Sequence, residues 1–149
     1  MMTPSVASPP DLWRLLQQAN AVPAEHAAND GDLAKAVEAG LPRAVLHRLI
    51  AMHVLEPADV PFIFLKRTVQ RGKAVRSRLT TDQSDYLARI VQLTLGAADA
   101  LGDMERGKQW LRTPSLAMRG LRPLDWVRTS IGARVVEQIL GRINHGIGF

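Results

Sequence analysis

No part of this chain alternates apolar and polar residues for more than a few positions, whereas apolar residues return again and again at intervals of three and four, the spacing of one helix face. The clearest run is Ile131, Val135, Val136, Ile139, Leu140 and Ile143, which predicts an amphipathic helix near the end of the chain. A longer helix is predicted to about Leu101, where Tyr86, Leu87, Ile90, Val91, Leu93, Leu95 and Leu101 cover an arc wide enough to be touched on two sides. Thr80 and Gln83 have the spacing of a capping box at its start. With 46% apolar but only 5% aromatic residues, the composition suits helix packed on helix, and the fold is predicted to be all-α.

Punctuation residues divide the chain. Residues 1–30 read as a flexible segment with one short helix, capped by Asp11 and carrying Leu12, Leu15 and Leu16, followed by a linker from Ala21 to Asp30. Residues 31–102 read as a helical bundle. A helix from Asp32 to Ala39 stops at Gly40, and a second opens at Pro42 with Val45, Leu46, Leu49 and Ile50 as its apolar face, the outline of a helix-turn-helix. A third is predicted after Glu56-Pro57, running through Phe62, Ile63 and Leu65 across Pro61. Residues 103–149 form a smaller helical unit: Asp103 caps a helix bearing Met104, Trp110 and Leu111, Pro123-Leu124-Asp125-Trp126 opens another, and Thr129 caps the last.

Several function classes fall away. No apolar run approaches the roughly 20 residues of a membrane helix, and residues 1–10 lack the basic and apolar regions of a secretion signal. The absence of cysteine removes disulfides, thiolate catalysis and Cys-based zinc sites, which fits a reducing, cytoplasmic setting. His26, His47, His53 and His145 have no metal-ligand spacing, and no nucleophile, base and orienting acid stand together, so neither a metal, a cofactor nor catalysis is expected.

Charge marks two candidate surfaces. The net charge of +5 is uneven: residues 1–30 sum to −2 (one basic, three acidic), residues 31–102 to +3 (ten, seven) and residues 103–149 to +4 (eight, four). From Lys66 to Arg78 there are six basic residues, Lys66, Arg67, Arg71, Lys73, Arg76 and Arg78, and no acid. Such a stretch is either a solvated face or a set of phosphate contacts that position a helix-turn-helix on DNA, with Arg43, His47 and Arg48 the side chains suited to reach bases. At the other end, Asn144-His145-Gly146-Ile147-Gly148-Phe149 is too short to fold and too apolar to act only as a solubilising end. Two glycines permit close approach, and Ile147 and Phe149 can bury area, so the segment reads as an insert for a partner, with Arg142 and the terminal carboxylate as charges that pair with a cleft. Trp126 fills the core or anchors a partner.

The residues Trp110-Leu111, Pro114, Gly120, Pro123-Leu124-Asp125, Thr129, Ile131-Gly132, Leu140, Arg142-Ile143 and Gly146 resemble, in order, the toxin-binding domain of the Xre/MbcA/ParS antitoxins. The resemblance continues upstream through Gly40-Leu41-Pro42, Lys66-Arg67-Thr68, Gln83-Ser84-Asp85 and Gly102-Asp103, and so covers roughly residues 31–149. This chain departs from the pattern at Met118-Arg119, before Gly120, where a small-residue or glycine turn is expected, and at its last residues.

The resemblance implies an Xre-like helix-turn-helix bundle followed by a small toxin-binding domain. It further implies a partner toxin of RES fold that attacks NAD, either degrading it or transferring its ADP-ribose to a protein. The antitoxin is then expected to block the NAD pocket with its C-terminal segment, through Trp126, Arg142, Asn144, His145, Ile147 and Phe149. A homodimer, for which the apolar surplus from Ser84 to Leu101 offers a face, and autorepression through operator DNA complete the expectation. The alternatives are a stand-alone helix-turn-helix regulator without a toxin and an adaptor for some other protein.

Overall fold

The computed structural model describes residues 9–18, 30–64 and 77–144, all helix, turn or loop apart from one isolated antiparallel bridge between Pro42 and Arg78. The chain is all-α. Expectations for the linker from Ala21, for Leu65 and for the start of the basic stretch lie outside the described residues.

The order is α1 (Pro9–Gln18), α2 (Asp30–Ala39), α3 (Val45–Ala51), a 3-10 turn (Pro57–Asp59) continuous with the single-turn α4 (Val60–Ile63), α5 (Thr81–Leu101), α6 (Met104–Leu111), 3-10 segments at Leu116–Met118 and Pro123–Arg128, and α7 (Ser130–Asn144). These residues group into two compact units, 9–88 and 89–144, which part inside α5 between Ala88 and Arg89, whereas the punctuation residues put a division at Gly102-Asp103. The division falls within α5, where Leu87 and Ala88 of the first unit and Ile90, Val91, Leu93 and Ala97 of the second are all buried.

In the first unit, the capping box forms as expected: the Gln83 N–H donates to Thr80 Oγ1 at 3.0 Å and the Thr80 N–H donates to Gln83 Oε1 at 2.9 Å. One residue on, the buried hydroxyl of Ser84 accepts the Leu41 N–H at 2.8 Å, tying the start of α5 to the turn after α2. That turn depends on Gly40, whose φ of 95° belongs to the left-handed region and whose missing side chain makes room for the Leu79 carbonyl. Pro42 does not open α3. It pairs with Arg78, while the Arg43 N–H donates to Ser77 O at 2.8 Å, and the helix starts three residues later. Val45, Leu46 and Leu49 then face the core, where each fully buried side chain contributes about 1.5–3 kcal/mol. The helix predicted through Pro61 is reduced to one turn, its 3-10 entrance closed by the Glu56 N–H donating to the buried Asp59 carboxylate at 3.1 Å. Asp11 lies inside α1 instead of capping it, because the helix already begins at Pro9.

In the second unit, α6 lies against α5 at Gly107, where a Cβ would press on the backbone of Ala97 and Ala98. Asp103 caps α6 by accepting the Arg106 N–H at 2.8 Å. The segment Pro123–Arg128 packs on α6 and α7, and Arg89 of α5 donates to the Val127 carbonyl at its end. Thr129 caps α7 as read, its Oγ1 accepting the Gly132 N–H at 3.0 Å. Gly132, Ala133, Val136, Ile139 and Leu140 form the buried face. Ile131, assigned by periodicity to that face, is 69% exposed, because the buried arc is set by Gly132 and Val136 one residue further round and Ile131 turns outward with Arg134 and Gln138.

The two glycines of α7 offer a test of this packing. A Cβ at Gly132 would collide with the Trp126 carbonyl, whereas one at Gly141 meets nothing within 4 Å. Gly132→Ala is expected to destabilise by about 1–3 kcal/mol through overpacking, and Gly141→Ala to stabilise by about 0.5–1 kcal/mol through helix propensity. Thermal denaturation reads both, and shifts of the same sign would contradict the arrangement.

Candidate functional site

The second unit holds its surface through a chain of short-range constraints that ends at α7. Asp125 accepts the Arg122 N–H at 3.0 Å, closing the start of the 3-10 segment, while the Arg122 guanidinium grips the same carboxylate through Nη2 at 2.8 Å and Nε at 3.2 Å. Those bonds from the Arg122 side chain hold the Asp125 carboxyl below its ordinary value. The Arg122 N–H and the charges of Arg122 and Arg128 add to the effect, against partial burial.

Next in the chain, Trp126 is half-buried and directed inward, its indole Nε1 donating to the Met118 carbonyl at 3.3 Å. Its own carbonyl forms the seat on which Gly132 rests. Trp126 thus fastens the loop before it to the helix after it, and any contact with a partner would use only its exposed part.

α7 then runs for 15 residues to Asn144 with no break. Arg142 is exposed in its last turn, on the stripe shared with Ile131, Val135 and Gln138, three residues that precede it by whole turns. The Asn144 side chain is half-buried, its Nδ2 enclosed and without a hydrogen-bond partner among the described residues, at the point where the chain continues into residues 145–149. His145, Ile147 and Phe149 lie outside the described residues.

In the first unit, His47 and Arg48 are exposed on α3 in one stripe with Ala44 and Ala51, small residues that would let the helix approach a groove. Arg43 stands differently. It is half-buried with its guanidinium 4.4 Å from the centroid of the Phe64 ring, a cation–π contact. Since the Arg43 N–H also donates to Ser77 O, residues 64 and 77, which bracket the first five basic residues of the stretch, both meet at the foot of α3. Lys66, Arg67, Arg71 and Lys73 lie outside the described residues.

Sequence reasoning missed the loop from Ser115 to Arg122. Here Leu116 is 95% exposed and Leu121 50% exposed, and Arg119 adopts left-handed backbone, φ 58° and ψ 37°. The available signal was the arginine in place of a turn-forming small residue before Gly120. Among the described residues, no three or more His, Asp or Glu side chains gather where a metal ion could be held, and no helix is long and apolar enough to cross a membrane.

The second unit is a small all-helical module with an exposed apolar loop, Leu116 to Leu121, and an amphipathic final helix. Residues 96–146 match the family described as "Antitoxin Xre/MbcA/ParS C-terminal toxin-binding domain". An "Antitoxin Xre" of Pseudomonas putida is 30% identical over 125 residues, covering 81% of this chain and 76% of the relative. Another of Photorhabdus laumondii is 28% identical over 111 residues, 72% of this chain and 75% of the relative. A Sphingobium protein named "Prs ADP-ribosylating antitoxin" is 26% identical over 150 residues, 93% of this chain and 89% of the relative. The chain belongs to the Xre/MbcA/ParS family of antitoxins, and the match to the toxin-binding domain begins in the second half of α5 and ends just beyond α7.

The Asp125 carboxylate gives a pH test. Because its folded pKa is depressed, it stabilises the fold above its unfolded value of about 3.9, and that contribution is lost as pH falls through the folded value. Asp125→Ala is therefore expected to cost about 1 kcal/mol at neutral pH, as loss of a cap does, with the difference from wild type narrowing in acid. Urea unfolding at neutral and acidic pH measures it; a gap that widens in acid would contradict the cap.

Proposed function

We propose that this antitoxin neutralises a RES-fold toxin that acts on NAD, and that it does so by laying the segment from Asn144 to Phe149 in or over the toxin's NAD pocket. The observation that carries this reading is that α7 runs unbroken to Asn144 within a region that matches a toxin-binding domain, so that the remaining residues leave a helix seated firmly on its own unit. An NAD site binds a pyrophosphate and therefore presents donors and cations. The Asn144 amide and the Phe149 ring offer a polar and a planar group to such a pocket, with Arg142 at its rim and His145 and Ile147 between. Of the two reactions open to the toxin, the transfer of ADP-ribose is favoured by the name of the Sphingobium relative. The reading asks for no catalytic group in this chain and places it in the bacterial cytoplasm beside its toxin.

The same chain, as a dimer, is proposed to repress its operon through the first unit, with His47 and Arg48 on the exposed stripe of α3 and the basic residues that follow Phe64 on phosphates. The face first read as a dimer surface is not available for this, since Leu87, Ile90, Val91 and Leu93 of α5 are buried within the chain.

Removing residues 145–149 leaves every described helix intact and is expected to abolish protection of cells from the toxin without changing the unfolding temperature. Full protection by the shortened, folded chain would refute the mechanism. For the first unit, His47→Ala with Arg48→Ala is expected to weaken the shift of the chain's own promoter at near-physiological salt. Equal shifting of unrelated DNA by both proteins would reduce the interaction to non-specific charge.

A further inference from the structure

The loop between α6 and the Pro123–Arg128 segment displays two exposed leucines within six residues of each other. Leu116 is 95% exposed and Leu121 50%, two of the four large hydrophobic residues that stand exposed among the described residues. They are presented on a rigid frame. The Met118 and Gly120 N–H groups donate to Ser115 O at 3.1 and 2.8 Å, the Arg119 N–H to Leu116 O at 2.9 Å, the Leu121 N–H to Met118 O at 3.1 Å and the Ser115 N–H to Leu121 O at 3.2 Å. Beneath them Met118 is fully buried, and its carbonyl receives the Trp126 indole. Between the two leucines, Arg119 is exposed and its side chain makes no hydrogen bond or ion pair among the described residues. It also holds a left-handed backbone that costs a non-glycine residue about 1–2 kcal/mol. A strained arginine at a turn that glycine would form freely is a reason to look for what its side chain meets.

We infer that Leu116, Arg119 and Leu121 form a second docking surface for the same toxin, separate from the C-terminal segment, and that it seats on a shallow apolar depression of the toxin rimmed by a carboxylate. The inference rests on the proposed function above, since it takes the toxin as partner. Charge argues for that occupant. From Arg112 to Arg134 the chain carries five arginines and one acid, Asp125, which Arg122 already engages. A second copy of this chain, meeting itself about a two-fold axis, would bring Arg119 and its basic surroundings together. A nucleic acid would meet the arginine but give the leucines nothing to bury against. An acidic protein surface satisfies both, and the loop lies within the stretch that matches the toxin-binding domain, residues 96–146. Because arginine replaces the turn residue expected at this position, the contact would also help to set which toxin this antitoxin accepts.

The test uses the full chain and, as probe, a catalytically inactivated RES-fold protein encoded by the neighbouring gene, with calorimetry for affinity and thermal denaturation for stability. Leu116→Ser with Leu121→Ser is expected to weaken binding by about 10- to 100-fold with an unchanged unfolding temperature. Arg119→Gly separates binding from folding: it is expected to raise the unfolding temperature by about 2–4 °C while weakening binding and flattening its dependence on salt. Affinities equal to the unsubstituted chain's in both variants would overturn the inference and leave the proposed function standing. A loss of self-association in the leucine variant without loss of toxin binding would overturn it in favour of a second copy. If the unsubstituted chain does not bind the probe, the proposed function fails and the loop's assignment fails with it.

Discussion

The contact of Gly132 with the carbonyl of Trp126 is the constraint on which the second unit turns. A helix can start so close to the preceding segment only where its first turn carries no side chain at the point of contact, and Thr129 completes the junction by accepting the Gly132 N–H. From that point the consequences run in both directions. Backward, the Trp126 indole is held against Met118, which fixes the loop that displays Leu116 and Leu121. Forward, the direction of α7 is set at its first turn and kept for its whole length by Val136, Ile139 and Leu140 in the core. One close backbone approach therefore coordinates two surfaces that lie far apart in the sequence.

The unit is carried on α5. A 21-residue helix with an apolar arc this wide would be an aggregation hazard alone, but here Leu87, Ile90, Val91, Leu93 and Ala97 are all buried. Its start is pinned three ways, by the capping box of Thr80 and Gln83, by Ser84 on Leu41, and by Thr81 Oγ1 donating to the Glu38 carbonyl at 2.8 Å. Further along, Gly107 allows α6 to lie backbone against backbone on Ala97 and Ala98. The match to the toxin-binding domain starts at residue 96, within this helix, so the family's binding module includes the part of α5 that gives it a core.

Much of this was legible in the residues because caps and periods are local. Thr80 with Gln83, Asp103 and Thr129 each announce a helix start through hydrogen bonds made within three residues, and the long arc of α5 admits no strand. What could not be read depends on contacts between distant residues. Pro42 resembles a helix opener, yet pairing with Arg78 decides its role. Ile131 fits the apolar period of α7, but the buried arc is centred by a glycine and an alanine, which periodicity counts as weak signals. The exposed loop was hidden for a different reason: no short-range pattern separates its buried Met118 from its exposed Leu116 and Leu121. Arg119 was the visible clue, a residue out of place for the turn that Gly120 completes. The candidate site was legible as a region, through Arg142 and Asn144 at the end of an amphipathic helix, more than as a set of contacts.

The kinetic mode of inhibition tests most directly the proposed action of this antitoxin, occupation of the place of NAD. Initial rates of NAD turnover by the partner toxin, measured over a range of NAD concentrations at several fixed antitoxin concentrations, are expected to show a rising apparent KM with kcat unchanged. A falling kcat at constant KM would mean that the antitoxin binds without competing for the pocket, and would contradict the account.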